Sequence, residues 1–155
     1  MIEPADRVVR KSVIVGVDAA TAFDVFTNGL DRWWLRSHHI GSAEMVEAVL
    51  EPWDGGRWFE RDADGNECDW GYVLAYEPPH RLVLAWQIDA NWRHDPSLVT
   101  EVEVNFVPRD ASTTAVEVEH RHLDRFGPDA HQMQTTFESP SGWSGLLHAF
   151  GQALA

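Results

Sequence analysis

The chain has 155 residues with 25 acidic against 12 basic side chains, and its formal charge of -13 repels phosphate backbones and anionic bilayers, which argues against nucleic acid or membrane as a partner. The single cysteine, Cys68, excludes an internal disulfide framework and a multi-cysteine zinc site and fits a reducing compartment. No apolar run approaches ~18 residues and the opening MIEPADRVVRKSVIVGV lacks a leader pattern, so one cytoplasmic domain over 1–155 is expected.

In chain order, RVVRKSVIVGV (Arg7 to Val17) is rich in β-branched residues and predicts a first strand. Asp18 offers an N-cap to AATAFDVFT, where Ala22, Phe23 and Phe26 recur at helical spacing, and Asn28-Gly29 supplies a stop. LDRWW predicts a second short helix or turn carrying Leu30, Trp33 and Trp34. Adjacent helical residues point about 100° apart, so at least one of the two tryptophans is expected to pack rather than cover a cavity.

From Ser42 the pattern becomes extended. AEMVEAVLEPW, RWFERD, CDWGYVLAYE, RLVLAWQID, TEVEVNFVP and TTAVEVEHRH are separated by turn signals, among them Asp54-Gly55-Gly56, Asp64-Gly65-Asn66 and Pro78-Pro79. Six strands in a row, seven with the first, are predicted to pair antiparallel. GPDAHQMQTTFE reads as a further short helix with Met133 and Phe137. Ser139 then reads as the cap, and Pro140 as the first position, of a final helix whose Trp143, Leu146, Leu147, Phe150 and Leu154 make one apolar stripe.

This is an α+β order, and the economical packing wraps one curved antiparallel sheet around the final helix, with two short helices after the first strand. Strand parity defines the faces. Leu82, Leu84, Trp86 and Ile88 share one face with Val102, Val104 and Phe106 and with Val116, Val118 and His120; the alternate positions, Val83, Ala85, Gln87, Glu101, Glu103, Asn105, Glu117, Glu119 and Arg121, make a more polar face.

Several motifs, in this order, resemble those of the family named for the activator of heat shock protein 90 ATPase, within the START-like (SRPBCC) helix-grip superfamily. They are Ala22-Phe23, Trp33-Trp34, Glu51-Pro52 with Gly55-Gly56-Arg57, Trp70-Gly71-Tyr72-Val73, Glu77-Pro78-Pro79, Arg81 to Trp86, Thr100-Glu101-Val102, Glu119-His120 and Gly142-Trp143. The resemblance implies a single-domain helix-grip fold with a cavity between sheet and C-terminal helix. It also implies a small hydrophobic or amphipathic ligand; a co-chaperone role towards a heat shock protein 90 type ATPase, or polyketide cyclase or hydratase chemistry, are the alternatives.

The inner surface supplies the candidate ligand-binding residues: Trp86, His120, Trp143, Leu84, Val104, Val118, Phe106, Trp34 and Leu147. His120 has three readings. A metal pair with His122 lacks convergent further ligands, His131 and His148 having no suitable spacing. A general acid or base needs a partner such as Asp69, Glu60 or Tyr72. The favoured reading is a hydrogen-bonding tip in an apolar pocket beside Trp86 and Trp143, with His122 at the mouth or solvated. No catalytic residue, metal or cofactor is assigned, and the two Asp-Gly turns, lacking the Walker lysine and the calcium-loop spacing, read as hairpins. Exposed edge strands and the eight tryptophans leave room for a homodimer.

Overall fold

A computed structural model describes residues 7–155; Met1 to Asp6, part of the opening read above for targeting signals, lie outside the described residues. Seven strands form one antiparallel sheet: β1 (Val9–Val15), β2 (Met45–Leu50), β3 (Arg57–Asp62), β4 (Glu67–Glu77), β5 (Arg81–Trp86), β6 (Thr100–Asp110) and β7 (Thr113–Arg121), in the spatial order β1-β7-β6-β5-β4-β3-β2. Helices α1 (Ala19–Thr27) and α2 (Leu30–Trp33) follow β1. A 3-10 segment (Leu123–Asp129) and α3 (Ala130–Glu138) precede α4 (Trp143–Ala153). This is the α+β helix-grip arrangement that the alternating runs predict, with a curled sheet around the C-terminal helix.

Local chemistry accounts for the elements. Asp18 accepts the Thr21 N–H at 2.9 Å and caps α1. Gly55 and Gly65 both take φ of +82°, the conformation that makes glycine the natural residue in these hairpin turns. Register breaks in the β2-β3, β3-β4, β4-β5 and β6-β7 ladders bend the sheet, as bulges do.

One sequence expectation fails at α4. Ser139 is the C-cap residue of α3, its Oγ donating to the Thr136 carbonyl at 2.6 Å, and α4 begins only at Trp143 behind Gly142, which makes no side-chain cap bond. The carbonyls ending α3 compete successfully for Ser139. The apolar stripe is nevertheless real, since Trp143, Leu146, Leu147 and Phe150 are buried and Leu154 is partly so.

The core has two aromatic halves. Phe23, Phe26, Phe106, Phe150 and Trp33 meet at centroid distances of 4.8–5.6 Å in the middle of the sheet–helix space. Trp34, Trp58, Trp70, Trp86 and Trp143 form the other half, at 4.9–6.3 Å. The neighbours Trp33 and Trp34 therefore part company, as their helical angle requires. Gly71 lies between Trp58 and Trp86 in the cross-strand row, and the gap lets those two indoles meet at 5.7 Å from strands that are not adjacent.

The outer face is an ionic lattice. Arg121 binds Glu101, Glu103 and Glu119, and Arg81 binds Glu103 and Glu77. Burial opposes ionisation of Glu103, but the Arg121, Arg81 and Asn105 donors outweigh it and hold its pKa at about 2.

Candidate site: a tryptophan-walled pocket

A pocket of about 360 Å³ opens at the end of the sheet–helix space, where α3 meets α4. Its walls are Trp34, Trp70, Trp86, Trp92, Phe137 and Trp143, and its polar groups come from Ser37, His38, His39, Thr136 and Ser141. The sheet contributes Trp70 and Trp86, α3 contributes Phe137, and α4 contributes Trp143.

The loop from Trp34 to Gly41 makes one side and is fastened at both ends. The Trp34 indole N–H donates to the His38 carbonyl at 2.9 Å, and His38 Nε2 donates to the Ser141 carbonyl at 2.7 Å, strapping the loop to the turn before α4. At the far end the Ile40 and Gly41 N–H groups donate to Glu60 at 2.6 and 3.1 Å. Glu60 is wholly buried on β3 and also accepts the Trp70 indole N–H at 2.8 Å. One carboxylate thus fixes both the loop and a wall ring.

Trp92 lines the pocket from the β5-β6 connection. It holds φ of +60°, unusual for a bulky residue, and stays 44% exposed. Asp89 imposes that turn, accepting the Asn91 and Arg93 N–H groups at 2.9 and 3.0 Å.

Among the residues singled out from sequence, Trp34, Trp86 and Trp143 line the pocket. Leu84, Val104, Val118, Phe106 and Leu147 do not. They pack in the core, because the middle of the sheet–helix space is filled by side chains and the pocket lies to one end.

His120 is also behind the wall, fully buried against Trp86 and Phe137, at ring distances of 5.1 and 4.4 Å. Its nitrogens are both engaged: the Trp143 indole donates to Nδ1 at 3.1 Å, and Nε2 lies 2.8 Å from Thr100 Oγ1. An indole nitrogen can only donate, so Nδ1 must carry the lone pair and Nε2 the proton, which it gives to Thr100. Burial lowers the pKa of this imidazole to about 3. His120 is therefore neutral near pH 7 and positions Trp143 from behind.

None of the suggested partners of His120 meets it. Asp69 binds Arg57 at 2.7 Å, Tyr72 is exposed, and Glu60 serves the loop. His122, expected at the mouth or solvated, is partly exposed and lies away from the pocket. The strand ends at Arg121, and φ of +64° at His122 breaks the alternation, leaving Nε2 3.8 Å from Glu101 on the ionic face. Among the described residues, no group of three or more His, Cys, Asp or Glu side chains is placed to hold a metal.

Sequence reasoning missed Trp70, Trp92, Phe137 and the SHHI segment as pocket residues. Trp70 sits at the β3-β4 irregularity, where simple alternation fails. The signal available for SHHI was two histidines in a loop directly after two tryptophans, a type of segment that often carries function.

Comparison with known families decides the kinship, since the model for activator of Hsp90 ATPase homolog 1-like proteins matches residues 17–155. The chain belongs to that family. Among solved structures, this activator-of-Hsp90-ATPase-like chain is similar to Txn09, an anthrahydroquino-gamma-pyrone synthase, with 36% identity over 98% of this chain and 99% of that one and a TM-score of 0.67. It is also similar to CalC, a self-sacrificing resistance protein from Micromonospora echinospora, with 32% identity over 97% and 95% of the two chains and a TM-score of 0.71. An Aha1 from Colwellia psychrerythraea, solved as a dimer, is 14% identical over 95% of each chain with a TM-score of 0.61, a likeness of fold. No curated protein matches the chain significantly.

Proposed function

We propose that this protein binds a planar, largely apolar aromatic molecule in the pocket between Trp34, Trp70, Trp86, Trp92, Phe137 and Trp143. The observation that carries the reading is the wall itself: five indoles and a phenyl ring around about 360 Å³, a volume within the range of small-molecule sites. Aromatic pairs add ~0.5–1.5 kcal/mol each beyond area burial, so a fused-ring ligand gains more here than an aliphatic chain of equal size.

The wall is ready for such a ligand. The indole N–H groups of Trp34, Trp70, Trp86 and Trp143 are all taken by protein acceptors, so these rings offer apolar surface and no competing donor. Ser37, His39, Thr136 and Ser141 would meet hydroxyl or carbonyl groups of the ligand. The name of Txn09, an anthrahydroquino-gamma-pyrone synthase, supports a fused aromatic ligand for this chain too.

Isothermal titration calorimetry with 1,2-dihydroxyanthraquinone and, for comparison, a saturated fatty acid tests the reading. Saturable binding of the quinone is expected, weakened about tenfold or more by Trp86→Ala, which corresponds to a loss of ~1.4 kcal/mol. Equal affinity for the aliphatic chain, or no saturable binding, would overturn it.

A further inference from the structure

We propose that His39 is a proton acceptor for the bound ligand, with the buried carboxylate of Glu60 as its positioning residue; this rests on the pocket reading above. Three histidines lie in or behind the wall, and their bonding separates them. His120 is sealed and has both nitrogens engaged. His38 has both engaged as well, Nε2 donating to the Ser141 carbonyl at 2.7 Å and Nδ1 3.0 Å from Ser37 Oγ. His39 lines the pocket with a single anchor, Nδ1 at 3.0 Å from the Gly41 carbonyl.

A carbonyl only accepts, so His39 Nδ1 carries the proton and, in the neutral ring, Nε2 carries the lone pair. Among the described residues Nε2 has no hydrogen-bond partner within the protein. Behind the ring, Glu60 Oε2 lies 3.9 Å from Nδ1. Glu60 is wholly buried and is met by three neutral donors, Ile40 N–H, Gly41 N–H and the Trp70 indole, with no lysine or arginine among its hydrogen-bond or salt-bridge partners in the described residues. A proton arriving on His39 Nε2 would place an imidazolium beside this buried carboxyl group, the arrangement by which an acidic side chain orients a histidine ring.

The transferable proton belongs to a phenolic hydroxyl or an acidic C–H on the aromatic ligand. The O–H or C–H bond breaks, the N–H bond forms at Nε2, and the ligand keeps the electron pair as phenolate or enolate. No electron leaves the ligand and no further reactant is needed. Other titratable groups close to this arrangement are His38 in the pocket and Asp62 and Cys68, whose Oδ2 and Sγ crowd Gly41 on the side of Glu60.

The test uses 1,2-dihydroxyanthraquinone, whose visible band moves when its phenol ionises, on the intact protein. Heat of binding reports occupancy and the visible band reports the proton. The ionisation midpoint of the bound dye is expected to fall about one pH unit or more below that of the free dye, the size of shift an adjacent opposite charge produces. His39→Gln is expected to bring that midpoint back to the free value when read at dye concentrations where the heat of binding shows the pocket occupied. Glu60→Gln is expected to raise it part of the way, with circular dichroism confirming the fold. Saturable binding with an unshifted midpoint, or the same shift in His39→Gln, overturns the proton-acceptor role and leaves the pocket reading standing; absence of binding overturns both.

Discussion

Replacing His120 by glutamine should change how stability responds to mild acid. In the folded protein this imidazole is sealed between Trp143 and Thr100 with a pKa of about 3, whereas in the unfolded chain it returns to the ordinary 6.5. The unfolded state therefore takes up a proton that the folded state refuses. The His120 contribution is fully present above pH 6.5, declines as pH falls below that value at ~1.4 kcal/mol per unit, and is exhausted near pH 3. Between pH 7 and pH 5 the integrated loss is about 2 kcal/mol. The carboxylate with the largest downward shift, Glu103, starts from 4.5 and so acts mainly below this window. Urea unfolding at several pH values, on the wild type and His120→Gln, isolates the effect because the other histidines are common to both. The stability gap between the two should narrow by about 2 kcal/mol from pH 7 to pH 5. A gap that stays constant would show that His120 is not held neutral and would refute the sealed-network argument.

Trp143→Phe keeps a ring in the wall but removes the donor to His120 Nδ1, so chemical denaturation should show a loss of about 1–3 kcal/mol, the cost of an unsatisfied buried acceptor. Gly71→Ala should be far worse, because an added Cβ would stand 1.7 Å from the Ala85 carbonyl oxygen; a loss beyond ~4 kcal/mol, or failure to accumulate folded protein, is expected by thermal melting. Glu103→Gln should flatten the acid limb of stability between pH 4.5 and about 2, since a depressed carboxylate stabilises above its unfolded pKa and loses that contribution as pH falls; acid titration by circular dichroism reads it directly. Asp18→Ala should cost about 1 kcal/mol through loss of the α1 cap, measured by urea unfolding.

The sheet was legible because its strands obey a period of two and its turns are written in glycine, proline and aspartate. RWFERD and AATAFDVFT become β3 and α1 at the very residues quoted, and the inward rows through Leu84, Val104 and Val118 are all buried. What failed depended on breaks in those periods. His122 leaves the valine face when its backbone turns left-handed, and Trp70 is placed by a register shift that no alternation rule contains. Ser139 had two helices to serve, and the sequence motif resembled a cap for the later one. The pocket itself was the least legible part, since its polar side comes from a loop fastened by Glu60, a contact across 19 residues to Gly41 that neither segment announces alone.

The indole cluster has a consequence for how this pocket can change. Trp34 rests on Trp58, Trp70 and Trp143, and Trp86 rests on Trp58 and Trp143, so removing one ring withdraws support from its neighbours. Substitutions there will be strongly non-additive, as expected for residues in direct contact. Changes of ligand preference that leave this mutually supporting wall intact therefore fall to the other lining residues, Ser37, His39, Trp92, Thr136 and Ser141.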